Sequence, residues 1–387
     1  MTPTADIVII GGGIQGTSLA FSLAQRKAGR IVLLERKWLA GGPTAKSGAM
    51  IRPLFADKVY VELVHASTGM FERWPEAVGG DPGFVQPGFL RVTESLDQAV
   101  IGADLGLLRG LGVPVEILTA AQMRSLAPFA EFSDAEKGIF LPRGGFADPQ
   151  RTTVALADAA RRLGVEIVEG VAVTAIEASG GSVQAVKTDR GRVAAGTVVN
   201  CAGAWSGRVA ALAGIDIPIE AIRSPTCLFQ RPDRLPVSGP IISDGVHRVY
   251  LRAQGADLIR AAHFGWTQDP CDPDQWDESI TQGQLAAIRS SLEQRYEAMK
   301  RMVSYGGFSA MYDMTPDGHP IVSRFPQLTG FWCNCGWSGN GFAPAPAAGQ
   351  AIAQQILTGK SDISLAAFAW PRPLGLDARA DLKWIHR

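Results

Sequence analysis

Six residues near the start of the chain, Gly11-Gly-Gly-Ile-Gln-Gly16, carry glycine at the spacing G-x-G-x-x-G, and a carboxylate, Glu35, stands 19 residues after the last of them. Such a loop binds phosphate. Gly11 allows a tight turn, Gly13 lets the backbone approach a pyrophosphate, and Gly16 lets a helix pack closely on a strand. The helix that begins here turns its unpaired N–H groups and positive dipole end toward the phosphates. A carboxylate at Glu35 accepts hydrogen bonds from a ribose diol and argues against a 2′-phosphate. The chemistry is dinucleotide binding. Two apolar strands must position it: Asp6-Ile-Val-Ile-Ile10 before the loop, and Ile31-Val-Leu-Leu34, which ends at Glu35. Cys333 and Cys335 form another suggestive pair. Their spacing puts both thiols on one face of a strand, and no nearby His or Cys completes a metal set. They read as core, as does Cys201, and no metal is expected.

A chain of 387 residues, 46% hydrophobic, is long enough for two domains or one elaborate one. Its 37 basic and 37 acidic residues cancel, and no charged tail points to nucleic acid or an anionic membrane surface. No apolar run approaches the roughly 18 residues of a membrane helix. Five scattered cysteines and an opening without a basic n-region predict a reducing, cytoplasmic setting. Apolar spacing predicts helices over 17–28, 57–77, 96–111 and 151–163, another ending at 212, one near 279–297 and a last one through 357. Strands are predicted over 89–93, 138–141, 165–168, 171–176, 197–202 and 330–335, with 183–188 and 192–193 forming a hairpin. Dinucleotide-type elements recur in three separate blocks, so a second domain is inserted between them.

Four blocks in chain order resemble the FAD-dependent amine oxidoreductases of the D-amino-acid oxidase, glycine oxidase and sarcosine oxidase family. They are the Gly11–Gly16 loop with Glu35; Asn200-Cys-Ala-Gly-Ala-Trp-Ser206; Met311-Tyr-Asp-Met-Thr-Pro-Asp-Gly-His-Pro-Ile-Val322, similar to "Y-T-x-T-P-D-x-x-P-I-I-G"; and Gly336-Trp-Ser-Gly-Asn-Gly-Phe342, similar to "G-x-S-G-H-G-F". The resemblance implies an α/β (α+β) fold: a Rossmann-like FAD-binding domain over 1–85, 145–225 and 311–387, with a substrate domain on an antiparallel sheet over 86–144 and 226–310. It implies FAD contacts at Gly11, Gly13, Ile14, Gln15, Gly16, Glu35, Arg36, Ser47, Val173, Ala202, Trp205, Gly336, Ser338, Gly339, Asn340, Gly341 and Phe342. Backbone N–H groups of the last turn can face the flavin pyrimidine edge, where reduced flavin carries negative charge.

For the substrate, the resemblance implies Arg52 as the carboxylate ligand, since the segment Ala49-Met-Ile-Arg52 keeps the final arginine of the sarcosine oxidase pattern "R-I-I-R" and a guanidinium suits a carboxylate. Tyr312 matches an active-site tyrosine, and Tyr250 and His263 fit a tyrosine and a histidine of the inserted domain. A cation of the pattern is replaced by Ala49, for which Lys46 could substitute. Ala310 stands where a cysteine attaches flavin in monomeric sarcosine oxidases, so FAD is expected to be non-covalent. Ala343 replaces a second carboxylate ligand. The oxygen-activating lysine falls near Ile259, with Arg260 the nearest cation, and Asn340 replaces the histidine of "S-G-H-G". The implied reaction is oxidation of a secondary or tertiary amine, an amino acid or N-methyl amino acid. Hydride passes to flavin, the imine hydrolyses, and electrons go to oxygen or another acceptor. The alternative is a flavin subunit of a multi-subunit amino-acid or opine dehydrogenase complex. An NAD-dependent dehydrogenase and a non-catalytic flavin scaffold are readings from other classes.

Overall fold

A computed structural model describes residues 2–94, 100–231, 235, 236, 238–263 and 269–374. The strand Thr4–Ile10 pairs in parallel with Ile31–Glu35 on one side and with Gly191–Asn200 on the other. Glu166–Glu169 and Phe331–Cys335 extend the parallel sheet outward, and Ile321–Arg324 closes one edge antiparallel. Ile7 and Ile9 turn to one face, Val8 and Ile10 to the other, and each face has its own apolar cluster. Helices Ile14–Gln25, Pro149–Arg162 and Ala345–Thr358 cover the first face through Leu19, Leu156 and Ile352. The hairpin of Val173–Ser179 and Ser182–Thr188 and the helix Ser206–Ala211 contribute to the second. A strand covered on both faces needs apolar residues at every position, which is why Ile-Val-Ile-Ile and Ile-Val-Leu-Leu run without alternation. Ile9, Leu19 and Leu33 have no exposed surface, and each contributes about 1.5–3 kcal/mol by burial.

Several elements differ from the sequence expectation. The first helix starts at Ile14, three residues before the predicted 17, because the loop itself supplies the first turn with Gly13 as N-cap. The predicted helix 57–77 is two helices, Lys58–Glu72, capped by the Asp57 carboxylate, and Trp74–Ala77, with Pro75 in its first turn. The predicted hairpin arm at 192–193 and residues 197–200 of the predicted buried strand 197–202 belong to one strand, Gly191–Asn200, with Cys201 and Ala202 beyond its end. Its first residues pair antiparallel with Ser182–Thr188 and its last with Phe331–Cys335 in parallel. Of the predicted helix 96–111, Val100–Gly110 is described, and 96–99 lie outside the described residues. So do 232–234, 237, 264–268 and 375–387 of the expected domains.

The second sheet has the order Ser304–Met314, Glu220–Gln230, Leu258–His263, Val249–Gln254, Ile241–Asp244, Phe89–Thr93, Lys137–Leu141, Glu116–Thr119. All neighbours are antiparallel except Ile241–Asp244 with Phe89–Thr93. Glu220–Gln230 and Ser304–Met314 run across the expected boundaries at 225 and 310. The period of two sorts the sheet. Leu90, Val92, Ile242, Val249, Leu251, Ile259 and Ala261 face the helix Gln282–Arg295 with its Ile288 and Leu292. Beneath that helix, Arg295 spans the carboxylates of Glu136 (2.7 Å) and Asp244 (2.8 Å), all three buried. The opposite face carries Phe89, Arg91, Ser243, Tyr250, Arg252, Arg260, Ser224 and Tyr312, and it borders the site. Among the described residues no helix is long and apolar enough to cross a membrane.

Candidate functional site

A continuous cavity of about 510 Å³ is lined by Glu35, Arg36, Val173, Ala202 and Trp205, by Gly11 and Gly13–Gln15 at the first helix, by Ser47, by Arg52, Tyr250 and Tyr312, and by Gly339–Phe342. Gly11 has φ +114°, and a Cβ there would lie 2.4 Å from the Cys201 carbonyl oxygen. A Cβ at Gly16 would lie 1.9 Å from the Gly11 carbonyl oxygen, so both glycines are required where helix meets strand. Among the described residues, a Cβ at Gly13 would meet only the Thr44 hydroxyl oxygen, at 3.0 Å, and Gly13 borders the cavity. Glu35 accepts hydrogen bonds from the N–H groups of Gly12 (2.7 Å) and Lys37 (2.8 Å) while bordering the cavity.

Strand register assembles the other wall. Arg91, Ser243, Tyr250 and Ala262 stand in one row across four strands. Tyr312, opposite Ile222, hydrogen-bonds to Ser224, and burial, then Tyr250, push its phenol pKa up. Arg52 follows the short strand Met50–Ile51. Its guanidinium lies 4.9 Å from the Phe55 ring centre and 5.5 Å from that of Phe89, and it donates to the Leu54 carbonyl at 3.0 Å. Burial, then the neighbouring Arg91, lower its pKa to about 10. Among the described residues no carboxylate lies within ion-pair distance of Arg52.

Three implied residues are committed elsewhere. The Lys46 ammonium pairs with Glu278 at 3.0 Å and lies 5.0 Å from the Trp276 ring centre, all three residues bordering the cavity. His263 borders the cavity but sits opposite Val249, in a row that faces the helix Gln282–Arg295; its Nε2 is 2.8 Å from Ser291 Oγ, and burial lowers its pKa. That contact ties the strand Leu258–His263 to the helix Gln282–Arg295. Arg260 faces the cavity while Ile259 is core. Arg260 donates to the carbonyls of Ser47 (2.6 Å) and Lys46, and Arg252 donates to that of Gly48 (2.9 Å). Two buried arginines thus grip three successive carbonyls of the Lys46–Gly48 wall.

A relay of three hydrogen bonds holds the Gly336–Phe342 turn. Gln15 donates to the Gly341 carbonyl at 2.7 Å; Asn334 donates to Gln15 Oε1 at 3.1 Å; and Trp337 donates to Asn334 Oδ1 at 2.9 Å. Gly339 approaches Tyr312 so closely that a Cβ would lie 2.9 Å from its ring. Gly16, Gly336 and Ser338 do not line the cavity. The Ser338 hydroxyl accepts from the Thr315 N–H at 3.3 Å, so these three shape the walls from behind. Sequence reading missed Asp274, which accepts from Arg36 (2.7 Å), Trp205 (2.8 Å) and Arg208 across the cavity mouth. Nothing local in the sequence marks it. It also missed Asp313, although an aspartate where the resembling motif has threonine was a visible signal. Among the described residues no group of three or more His, Cys, Asp and Glu could hold a metal.

The family described as DAO, FAD dependent oxidoreductase, matches residues 6–355, and the chain belongs to it. The mouse (Mus musculus) mitochondrial sarcosine dehydrogenase is 28% identical over 381 residues, 94% of this chain but 41% of that protein, so the chain spans about two fifths of its length. The sarcosine oxidase subunit beta of an Arthrobacter species is 27% identical over 383 residues, 95% of this chain and 90% of that one. The crystal structure of L-proline dehydrogenase from P. horikoshii superposes with a TM-score of 0.88 at 26% identity, covering 95% of this chain and 97% of that one.

Proposed function

We propose that this chain binds FAD in the 510 Å³ cavity and oxidises a secondary or tertiary amine bearing a carboxylate, an amino acid or N-methyl amino acid. The observation that carries this reading is Arg52. A half-buried guanidinium that has no carboxylate within ion-pair distance among the described residues, bordered by Tyr312 and Tyr250 in the same cavity, suits a substrate carboxylate. The cavity suits FAD because it joins three features: a carboxylate for ribose at Glu35, Gly13 at its border before a helix N-terminus, and the amide-rich turn at Gly339–Gly341. When bound, FAD supplies the hydride acceptor. The chain's own residues orient the amine carbon: Arg52 by the carboxylate, and the two phenols by walling the cavity. Attachment is non-covalent, since Ala310 borders the cavity without a nucleophile and no histidine occurs between Gly41 and Arg52.

A second reading, a flavin subunit that passes electrons to a partner, is favoured by the Arthrobacter relative named as a subunit and by the commitment of Lys46 and Arg260 to protein groups. A reducing, cytoplasmic setting goes with five free cysteines. The test is an anaerobic screen of N-methyl and cyclic amino acids against the purified chain with FAD, following flavin bleaching, and then exposure to oxygen or an artificial acceptor. A chain that takes up no flavin, or a flavin that no carboxylated amine bleaches, overturns the proposal.

A further inference from the structure

Asp313 follows Tyr312 on the strand Ser304–Met314 but points to the other side, and it borders the same cavity. Its Oδ2 accepts the N–H groups of Gly336 (2.8 Å) and Trp337 (3.2 Å), and its carbonyl oxygen accepts that of Ser338 (3.1 Å). One residue therefore holds three successive amides at the start of the turn whose Gly339, Asn340 and Gly341 line the cavity. Among the described residues no cation lies within ion-pair distance of Asp313. The backbone N–H groups of Asp313 itself, Gly336, Trp337 and Ser338 favour the carboxylate, yet burial outweighs them and pushes its pKa up to about 6. The titratable and charged groups around it are few. Tyr60 faces it from the helix Lys58–Glu72, with Asp57, Asp317 and Arg372 acting on the same phenol, and His319 next to that ring. Arg372 is engaged by Asp317. Arg52, Tyr250 and Arg260 surround Tyr312 on the opposite face, and Cys333 and Cys335 precede the turn.

We propose that Asp313 is a positioning residue that holds the Gly336–Gly341 turn against the flavin and, through its charge, lowers the flavin's reduction potential. This rests on the flavin reading above. A negative charge beside a group that gains electrons disfavours the reduced form, and a low-dielectric wall does not screen it. The carboxylate has this effect when ionised and loses it when protonated.

The test is the midpoint potential of the FAD-loaded chain, by dye-coupled reduction, for wild type and Asp313→Asn at pH 8 and pH 5. Asparagine keeps an oxygen for the turn amides and cannot ionise. The potential of Asp313→Asn should exceed that of wild type at pH 8, and the two should converge at pH 5, where the wild-type carboxyl is neutral. Equal potentials at pH 8, or the same offset at both pH values, overturn the proposal, the latter because a purely structural effect does not depend on this proton. If Asp313→Asn does not hold FAD, Asp313→Thr, the residue of the resembling motif, is measured with the same expectation. A wild-type chain without a flavin spectrum overturns the flavin reading and this proposal together; a loaded pair of equal potentials overturns this proposal alone.

Discussion

Replacing Arg52 by lysine and by alanine separates the two contributions of an arginine at this position, charge and planar fork. Burial and Arg91 hold the Arg52 pKa at about 10, so it is cationic throughout the neutral range. A cation binds a carboxylate while protonated, so this contact is present below its pKa and lost as pH rises through it. Arg52→Ala removes a half-buried charged contact, a loss of about 2–5 kcal/mol, or roughly 30- to 4,000-fold in kcat/KM for a carboxylated substrate. Arg52→Lys keeps the charge at low pH but loses one arm of the fork, about 1.5–3 kcal/mol. A lysine ammonium gives up its proton more readily than a guanidinium, and the same burial and Arg91 lower it further, so KM of Arg52→Lys should start to climb at a lower pH than that of wild type. Among the described residues no carboxylate pairs with Arg52, so its removal strands no partner charge there; the flavin spectrum should be unchanged and Tm should shift by less than about 3 °C. The assay is steady-state kinetics against a carboxylated amine and its amide. Unchanged KM in Arg52→Ala, or equal losses for acid and amide, would refute the assignment.

Glu35→Ala should weaken FAD binding at least about tenfold, because a charged hydrogen bond is worth roughly 1.5–3 kcal/mol and the same carboxylate also anchors Gly12 and Lys37; equilibrium titration of FAD fluorescence checks it, and unchanged affinity would place the ribose elsewhere. Acid precipitation should release all the yellow colour to the supernatant, and colour in the pellet would show a covalent bond. Substrate-reduced protein should reoxidise slowly in air and faster with an artificial acceptor, since Lys46 is tied to Glu278 and Arg260 to backbone carbonyls; stopped-flow mixing that gives fast reoxidation with stoichiometric peroxide would contradict this.

Much of the first sheet was legible because its physics is local. A glycine loop between two unbroken apolar runs has few other folds available, and Gly11 and Gly16 meet the close approaches their spacing implies. Errors fell where one stretch serves two environments. Gly191–Asn200 alternates in burial while it pairs with a hairpin and is continuously buried over its last three residues, where both faces are covered, so one strand reads as two. The first helix was placed late because its N-cap is a glycine without a side chain to announce it.

The substrate wall was harder to read for a reason that belongs to β-structure itself. A shift of one residue exchanges the two faces of a strand. Ile259 and Arg260 are neighbours in sequence, yet one lies in the core under the helix Gln282–Arg295 and the other grips the Lys46–Gly48 carbonyls. Aligning a lysine "near Ile259" therefore could not decide whether a cation reaches the cavity; register does, through Arg252 opposite Arg260. The same parity turns His263 toward Ser291 and leaves Tyr250 facing Arg91 across Ser243. Asp274 escaped reading altogether because its three partners, Arg36, Trp205 and Arg208, come from segments at least 66 residues away. A carboxylate on an exposed loop carries no mark of such partners until the fold brings them together, so the residues that close this cavity follow from topology and not from any local motif.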